Sequence, residues 1–208
     1  MNPKSISPGR PRKFDEEELI EKAMTLFWKN GFKTTTTRQL EGALGLNQSS
    51  IYHHFGSKQK LLLRAIREYE EQATEKLLRP LEQSSDGLVD IEHFFRNLVR
   101  WISDDGRRGC LLTNMMAEEG EASDIIGQRT KKYRHKVKQA FKHCLELAAT
   151  RDQLLSPNPN QQSELLLGLT LGINIAARGG ASHRELNALQ RAISAQLQSW
   201  RVDQKSTT

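Results

Sequence analysis

The chain has 208 residues, 37% hydrophobic and 6% aromatic, with a formal net charge of +6. That suffices for one or two helical cores. Its longest apolar run, 165–177, is broken by two glycines and an Asn, well short of the ~20 consecutive apolar residues of a membrane span. Residues 1–67 hold 12 Lys/Arg and 6 Asp/Glu, whereas the rest hold 19 of each sign, so the whole excess sits in the first third, as in a nucleic-acid binder.

Residues 1–13 form a polar, Pro/Gly/basic arm, Gly9-Arg10-Pro11-Arg12-Lys13 being its basic part. Asp15 is placed to cap a helix, with Glu18 as capping-box partner. Leu19, Ile20, Ala23, Met24 and Phe27 then recur at helical period until Gly31 supplies a stop. Thr36 and Gln39 form a second capping box over a helix 37–44. Gly45 makes a turn, and Asn47 caps a third helix ending at His54 or Phe55. Ser57 opens a long fourth helix with Leu61, Leu62, Ala65, Ile66, Tyr69, Ala73 and Leu77 on one side, which Pro80 and the cluster 84–87 are expected to end.

The remaining segments keep helical period. One helix is expected over 88–103, a turn at 104–106 and a short helix near 111–119. A long one starts at Ser123 and carries Val137, Phe141 and Cys144. After a loop at 156–160 come two last helices, about 161–178 and 183–201. No segment alternates with period two, so the expected fold is all-α with about nine helices. A polar tail occupies 203–208.

The stretch from Thr36 to Lys58 carries the most information. A helix offered to the major groove exposes polar side chains at its N-terminal end and buries its other face on the preceding helix. Leu46 and Ile51 can face inward with Phe27, Leu40 and Leu44, leaving Gln48, Ser49, Tyr52 and His53 outward. Thr37, Ser50, Tyr52, His54 and Lys58 are the right types to hold phosphate oxygens, and Lys58 falls at a helix start, where backbone amides favour an anion. Arg10, Arg12 and Lys13 are suited to the minor groove.

Two cysteines, Cys110 and Cys144, make no CxxC pair and suggest no disulfide framework. Adjacent His53 and His54 point about 100° apart on a helix and cannot share one ion. No metal, cofactor or catalytic constellation is expected, and the polar N-terminus lacks the core of a signal peptide. A soluble, cytoplasmic, non-enzymatic protein with no membrane partner is the expectation.

The pattern Gly31-Phe32, Thr36-Thr37-Arg38-Gln39-Leu40, Gly45-Leu46, Ile51-Tyr52-His53-His54-Phe55-Gly56-Ser57-Lys58 and Leu61-Leu62 resembles the N-terminal domain of the tetracycline-repressor (TetR) family over residues 14–66. The resemblance implies a homodimeric transcriptional repressor that leaves a palindromic double-stranded operator when a small-molecule effector binds. Matched position by position, base-contacting sites fall on Arg38, Gln48, Ser49 and His53, and phosphate-contacting sites on Thr37, Ser50, Tyr52, His54 and Lys58. It implies a helix-turn-helix domain over 14–60 and an effector-binding and dimerisation domain over 61–202. Two positions depart from the family pattern. Glu41 stands where a small Ala is usual and must lean out or pair with a base such as Arg38 or Lys29. Thr37 replaces an apolar residue.

In the last two helices Gly168, Gly172 and Ala176 recur every four residues beside Leu165, and the final helix adds Ile193, Leu197 and Trp200. This surface either packs within the chain or joins two copies, and two-fold operators favour the second. Phe94, Leu98, Trp101, Met115, Met116, Tyr133 and Phe141 fit an adaptable pocket and fit an ordinary core equally well; the resemblance makes them, with Cys110, effector-pocket candidates. Cys110 follows Arg107 and Arg108 near a helix start, where a thiolate is favoured. The segment is similar to one in family members that sense electrophiles through a cysteine; the other reading is a buried, unreactive thiol. The alternative for the whole chain is a DNA-binding architectural or partner-recruiting protein without a ligand.

Overall fold

The computed structural model describes residues 15–103, 109–119 and 124–202, with the side chains of 116–119 and 124 outside that description. The arm 1–13, the turn 104–106, Arg107, Arg108, Ser123 and the tail 203–208 lie outside the described residues. Nine helices form among the described residues: α1 (Glu16–Asn30), α2 (Thr37–Leu44), α3 (Gln48–Phe55), α4 from Lys58 to Glu82, α5 (Leu88–Ser103), α6 (Leu111–Glu119), α7 (Asp124–Thr150), α8 (Pro159–Arg178) and α9 (His183–Ser199). Among them no helix is long and apolar enough to cross a membrane.

Local chemistry sets most of the boundaries. Asp15 caps α1 through the Glu17 amide at 3.1 Å. Glu18 gives no capping box, because its carboxylate turns to Lys22 at 2.6 Å. Thr36 and Gln39 do form one, Asn47 takes the Ser50 amide and Ser57 the Lys60 amide. Gly45 adopts φ 65° and ψ 26°, a left-handed turn that a side chain would strain. Helix α8 starts earlier than its sequence suggests, at Pro159 behind the Asn158 cap, since Pro suits a first-turn position. Helix α9 stops at Ser199, and beyond it Leu154 and Arg201 pair as a single antiparallel bridge.

Pro80 does not end α4. The helix runs as Lys58–Ala73, passes through a π turn at Thr74–Leu78, and continues over Arg79–Glu82. A proline inside an α-helix lacks a donor and clashes with the carbonyl four residues back; the wider π turn relieves both problems just before the ring.

Helices α1 and α4 pack together, α2 and α3 close the N-terminal head, α7 lies along α8, and α9 lies against α5. One continuous apolar core extends from Leu19 to Leu197. At the joint between head and C-terminal bundle, Trp28 meets Tyr69 edge-on at 4.9 Å and Trp101 at 5.3 Å, and Tyr69 stacks on Trp101 at 5.3 Å.

Candidate nucleic-acid interface and inner cavity

In the head, Phe27, Leu40, Leu44, Leu46, Ile51 and Phe55 are all buried. Spending these on the core turns the opposite faces outward. Arg38, Gln48, Ser49, His53 and His54 are exposed, and Thr37, Ser50, Tyr52 and Lys58 are half-buried. All nine residues singled out from the sequence therefore reach the surface of α2, α3 and the start of α4. The Thr37 and Tyr52 hydroxyls lie 3.3 Å apart, joining α2 to α3. The Lys58 ammonium sits 4.5 Å from the centre of the Phe32 ring, an attraction that holds a cation at the head's edge.

Glu41 finds neither Arg38 nor Lys29. Its carboxylate accepts the Gln48 amide at 2.7 Å, so α2 caps the first amide of α3 while Asn47 takes the third at 2.8 Å. Negative charge at a helix N-terminus is favourable, which removes the difficulty of a half-buried carboxylate. Glu41→Ala is expected to cost the head about 0.5–2 kcal/mol, read as a lower midpoint in thermal unfolding, whereas Glu41→Gln should recover part of it.

Between α4, α5, α6, α7 and α8 lies a cavity of about 30 Å³, room for about one water. Phe94, Leu98, Cys110 and Tyr133 line it, together with Tyr69 and Leu77 of α4. Trp101, Met115 and Phe141 do not. Trp101 is held by Trp28 and Tyr69, and Phe141 stacks on Phe95 at 5.8 Å with Phe94 edge-on at 4.8 Å. All three are buried away from that lining and belong to the core. The Met116 side chain lies outside the described residues.

Thr113, Thr130, Thr170, Asn174 and Arg134 add polar groups to the lining. Thr170 and Asn174, one turn apart among Leu166, Ile173 and Ala177, were the available sequence signal. The Tyr69 hydroxyl donates to the Cys110 sulfur at 3.0 Å, and burial pushes the Tyr69 and Tyr133 phenols well above their ordinary range. Cys110 is 7% exposed, so its thiol faces the cavity lining rather than solvent. Cys144 bonds the Leu81 carbonyl at 3.4 Å, and burial raises it to about 11, as expected of a core thiol.

The family model for bacterial regulatory proteins of the tetR type matches residues 19–65, and that for the tetracyclin repressor-like C-terminal domain matches 87–196. The chain belongs to the TetR family. It is a TetR-type helix-turn-helix transcriptional regulator. It is 32% identical over 125 residues to the HTH-type transcriptional repressor BdcR of Escherichia coli K12, a match spanning 58% of this chain and 62% of BdcR, under two thirds of that protein's length. Against the repressor ComR of the same organism it is 27% identical over 188 residues, covering 86% of this chain and 87% of ComR. Among solved structures, the TetR regulator CifR bound to 26-bp operator DNA matches with a TM-score of 0.77 at 22% identity, over 89% of this chain and 99% of that one.

Two features tie the TetR head to the bundle. The Trp28 indole donates to the Gly109 carbonyl at 2.6 Å, and the Arg178 guanidinium reaches the Trp28 and Lys29 carbonyls at 3.3 Å. A cation at the C-terminus of α1 complements the helix dipole. Tyr69 belongs both to the cavity wall and to the Trp28–Trp101 contact, so a displaced cavity wall presses directly on α1.

On the outer side of α8, Leu165 and Ile175 are about half exposed at 47% and 51%, and a side-chain carbon placed on Gly168 or Gly172 would meet nothing within 4 Å. Leu189 of α9 is 42% exposed. Two residues counted in this surface from the sequence belong elsewhere: Ile193 and Leu197 are 4% and 1% exposed and pack in the chain's own core, and Trp200 is half-buried. The last helix lies against α5, and that contact takes its apolar stripe.

Proposed function

We propose that this TetR regulator is a homodimer that represses from a palindromic operator and is released by a small-molecule effector. The carrying observation is the head: a doubly capped α3 whose outward face is polar along its whole length. Within this reading residues 14–60 are the reading domain and 61–202 the effector and dimer domain. Arg38, Gln48, Ser49 and His53 contact bases, and Thr37, Ser50, Tyr52, His54 and Lys58 contact phosphates. Arg10, Arg12 and Lys13 follow the minor groove. The operator-bound CifR, similar in fold, supports the same docking.

Dimerisation is supported by the apolar and small surface of α8 and α9, around Leu165, Gly168 and Gly172. Release is supported by the inner cavity with its converging polar groups and by the Tyr69–Trp28 contact. An effector that widens the cavity moves Tyr69, α4 and Trp28 together, shifting one recognition helix against its two-fold mate. Half-sites are fixed a helical turn or more apart, and ~1–3 kcal/mol of coupling suffices to shift occupancy. Cys110 lies on the path of that widening, so a thiol-modifying compound reaches it only as the cavity opens.

The test begins by sequencing the duplexes that the purified protein retains from a random pool. On the selected site Arg38→Ala is expected to cost about 1–3 kcal/mol and to relax preference at one base pair. Lys58→Ala should weaken all sequences alike and flatten the salt dependence. Unchanged sequence preference in Arg38→Ala would remove that residue from base reading.

A further inference from the structure

The chemistry of the effector is written on the surface beside the cavity. Helix α7 carries Lys131, Lys132, His135 and Lys138 along one face, and these border a groove of about 580 Å³ closed by Glu164 and Leu167 of α8. Lys138 pairs with Glu164 at 2.6 Å. Lys131 and Lys132 are exposed, and Lys132 is near enough to the Glu70 carboxylate of α4 to favour its ionised form. Arg134 and Leu167, both half-buried, line this groove and the inner cavity alike, so they lie where the two spaces adjoin. On the inner side, Asn174 is 2% exposed and donates from Nδ2 to the Thr170 carbonyl at 2.8 Å, while its Oδ1 meets no donor among the described residues. A buried acceptor in that state is costly, and it favours any donor that enters the cavity, a water or the polar group of a guest.

We infer that the effector is an amphipathic anion, an inference that rests on effector release as proposed above. Its carboxylate or phosphate headgroup lies in the groove against Lys131, Lys132 and Lys138. Its apolar body passes between Arg134 and Leu167 into a cavity that widens around Tyr69, Leu77, Phe94 and Leu98. A hydroxyl or N–H on that body donates to Asn174. The groove favours one headgroup over a continuous phosphate backbone, because Glu164 stands at its wall and would repel a polyanion laid across it.

The experiment titrates the full chain with decanoate, decyl phosphate and uncharged decanol at low salt, and follows operator release in parallel. Trp28 and Trp101 both touch Tyr69, so tryptophan emission reports occupancy of the cavity. Both anions are expected to bind roughly tenfold more tightly than decanol, and this preference should shrink at high salt and in the Lys131→Gln/Lys132→Gln variant. The stronger of the two anions identifies the headgroup. β-Hydroxydecanoate should exceed decanoate in the native chain but not in Asn174→Leu. Equal binding of decanol and the anions, anion binding unaltered in the double lysine variant, or no binding of any probe would overturn the inference. Operator release by decanol at the same concentrations as the anions, or release only by a compound of another class, would do so while leaving effector control of the operator intact; no release by any ligand in a broad screen would count against effector control itself.

Discussion

Gly172→Glu is expected to yield a folded monomer with severely weakened operator binding. A side chain at this position meets nothing within 4 Å in the single chain, and replacing a helical glycine adds about 0.5–1 kcal/mol of helix propensity. The isolated chain should therefore unfold at the same temperature or slightly higher. In a two-fold interface the new carboxylates meet near their own symmetry mates, and burying unpaired like charges costs several kcal/mol. Each head is then left with a single half-site, and losing the linked second contact removes about 10²–10⁴ in apparent affinity. Sedimentation together with mobility shift on the selected operator checks this. An intact dimer would move the interface away from this face of α8.

The second large effect is at Trp28. Trp28→Ala removes a fully buried indole that touches Tyr69 and Trp101, and is expected to cost about 3–5 kcal/mol. Trp28→Phe is the more informative change. It keeps most of the ring contact but removes the donor to the Gly109 carbonyl, a loss of about 1–3 kcal/mol. Operator affinity without ligand should stay close to the native value, while effector-induced release should weaken, because the joint between α1 and the segment leading into α6 is loosened. Chemical denaturation and ligand titrations on the operator complex separate the two effects. Full release in a destabilised Trp28→Phe chain would assign the coupling to another contact.

The helices of the head were legible because their determinants are local. Thr36 with Gln39, Asn47, Ser57 and Gly45 each act within four residues, and each does what its side chain or left-handed backbone dictates. What the sequence concealed was long-range. Glu41 was expected to seek a charged side chain, yet it satisfies a backbone amide seven residues on, a partner that exists only once the turn at Gly45 has folded. Ile193 and Leu197 have the spacing of an interface, but the docking of α9 on α5 uses them internally, and a one-dimensional stripe cannot say which neighbour covers it. Trp101 and Phe141 failed as cavity residues for the same reason: periodicity separates inside from outside, not wall from filling. The threonines and Asn174 of the lining stood among aliphatic residues and looked like imperfections of a core stripe.

The π turn in α4 has a consequence for how this helix is laid out. A π turn holds one residue more than an α turn, which offsets everything after it by about 100° of rotation. Before the turn the inward positions are Leu62, Ile66, Tyr69 and Ala73; after it they are Leu77, Leu78 and Leu81, with Lys76 and Pro80 outside. An unbroken α period from Ala73 would have swung Lys76 and Pro80 toward the interior. Helix α4 is thus two splines cut to different angles and joined by a one-residue spacer. The half that starts beside α3 and the half that meets α7 can each keep their own alignment, and a residue gained or lost at the splice would re-index one half without turning the other.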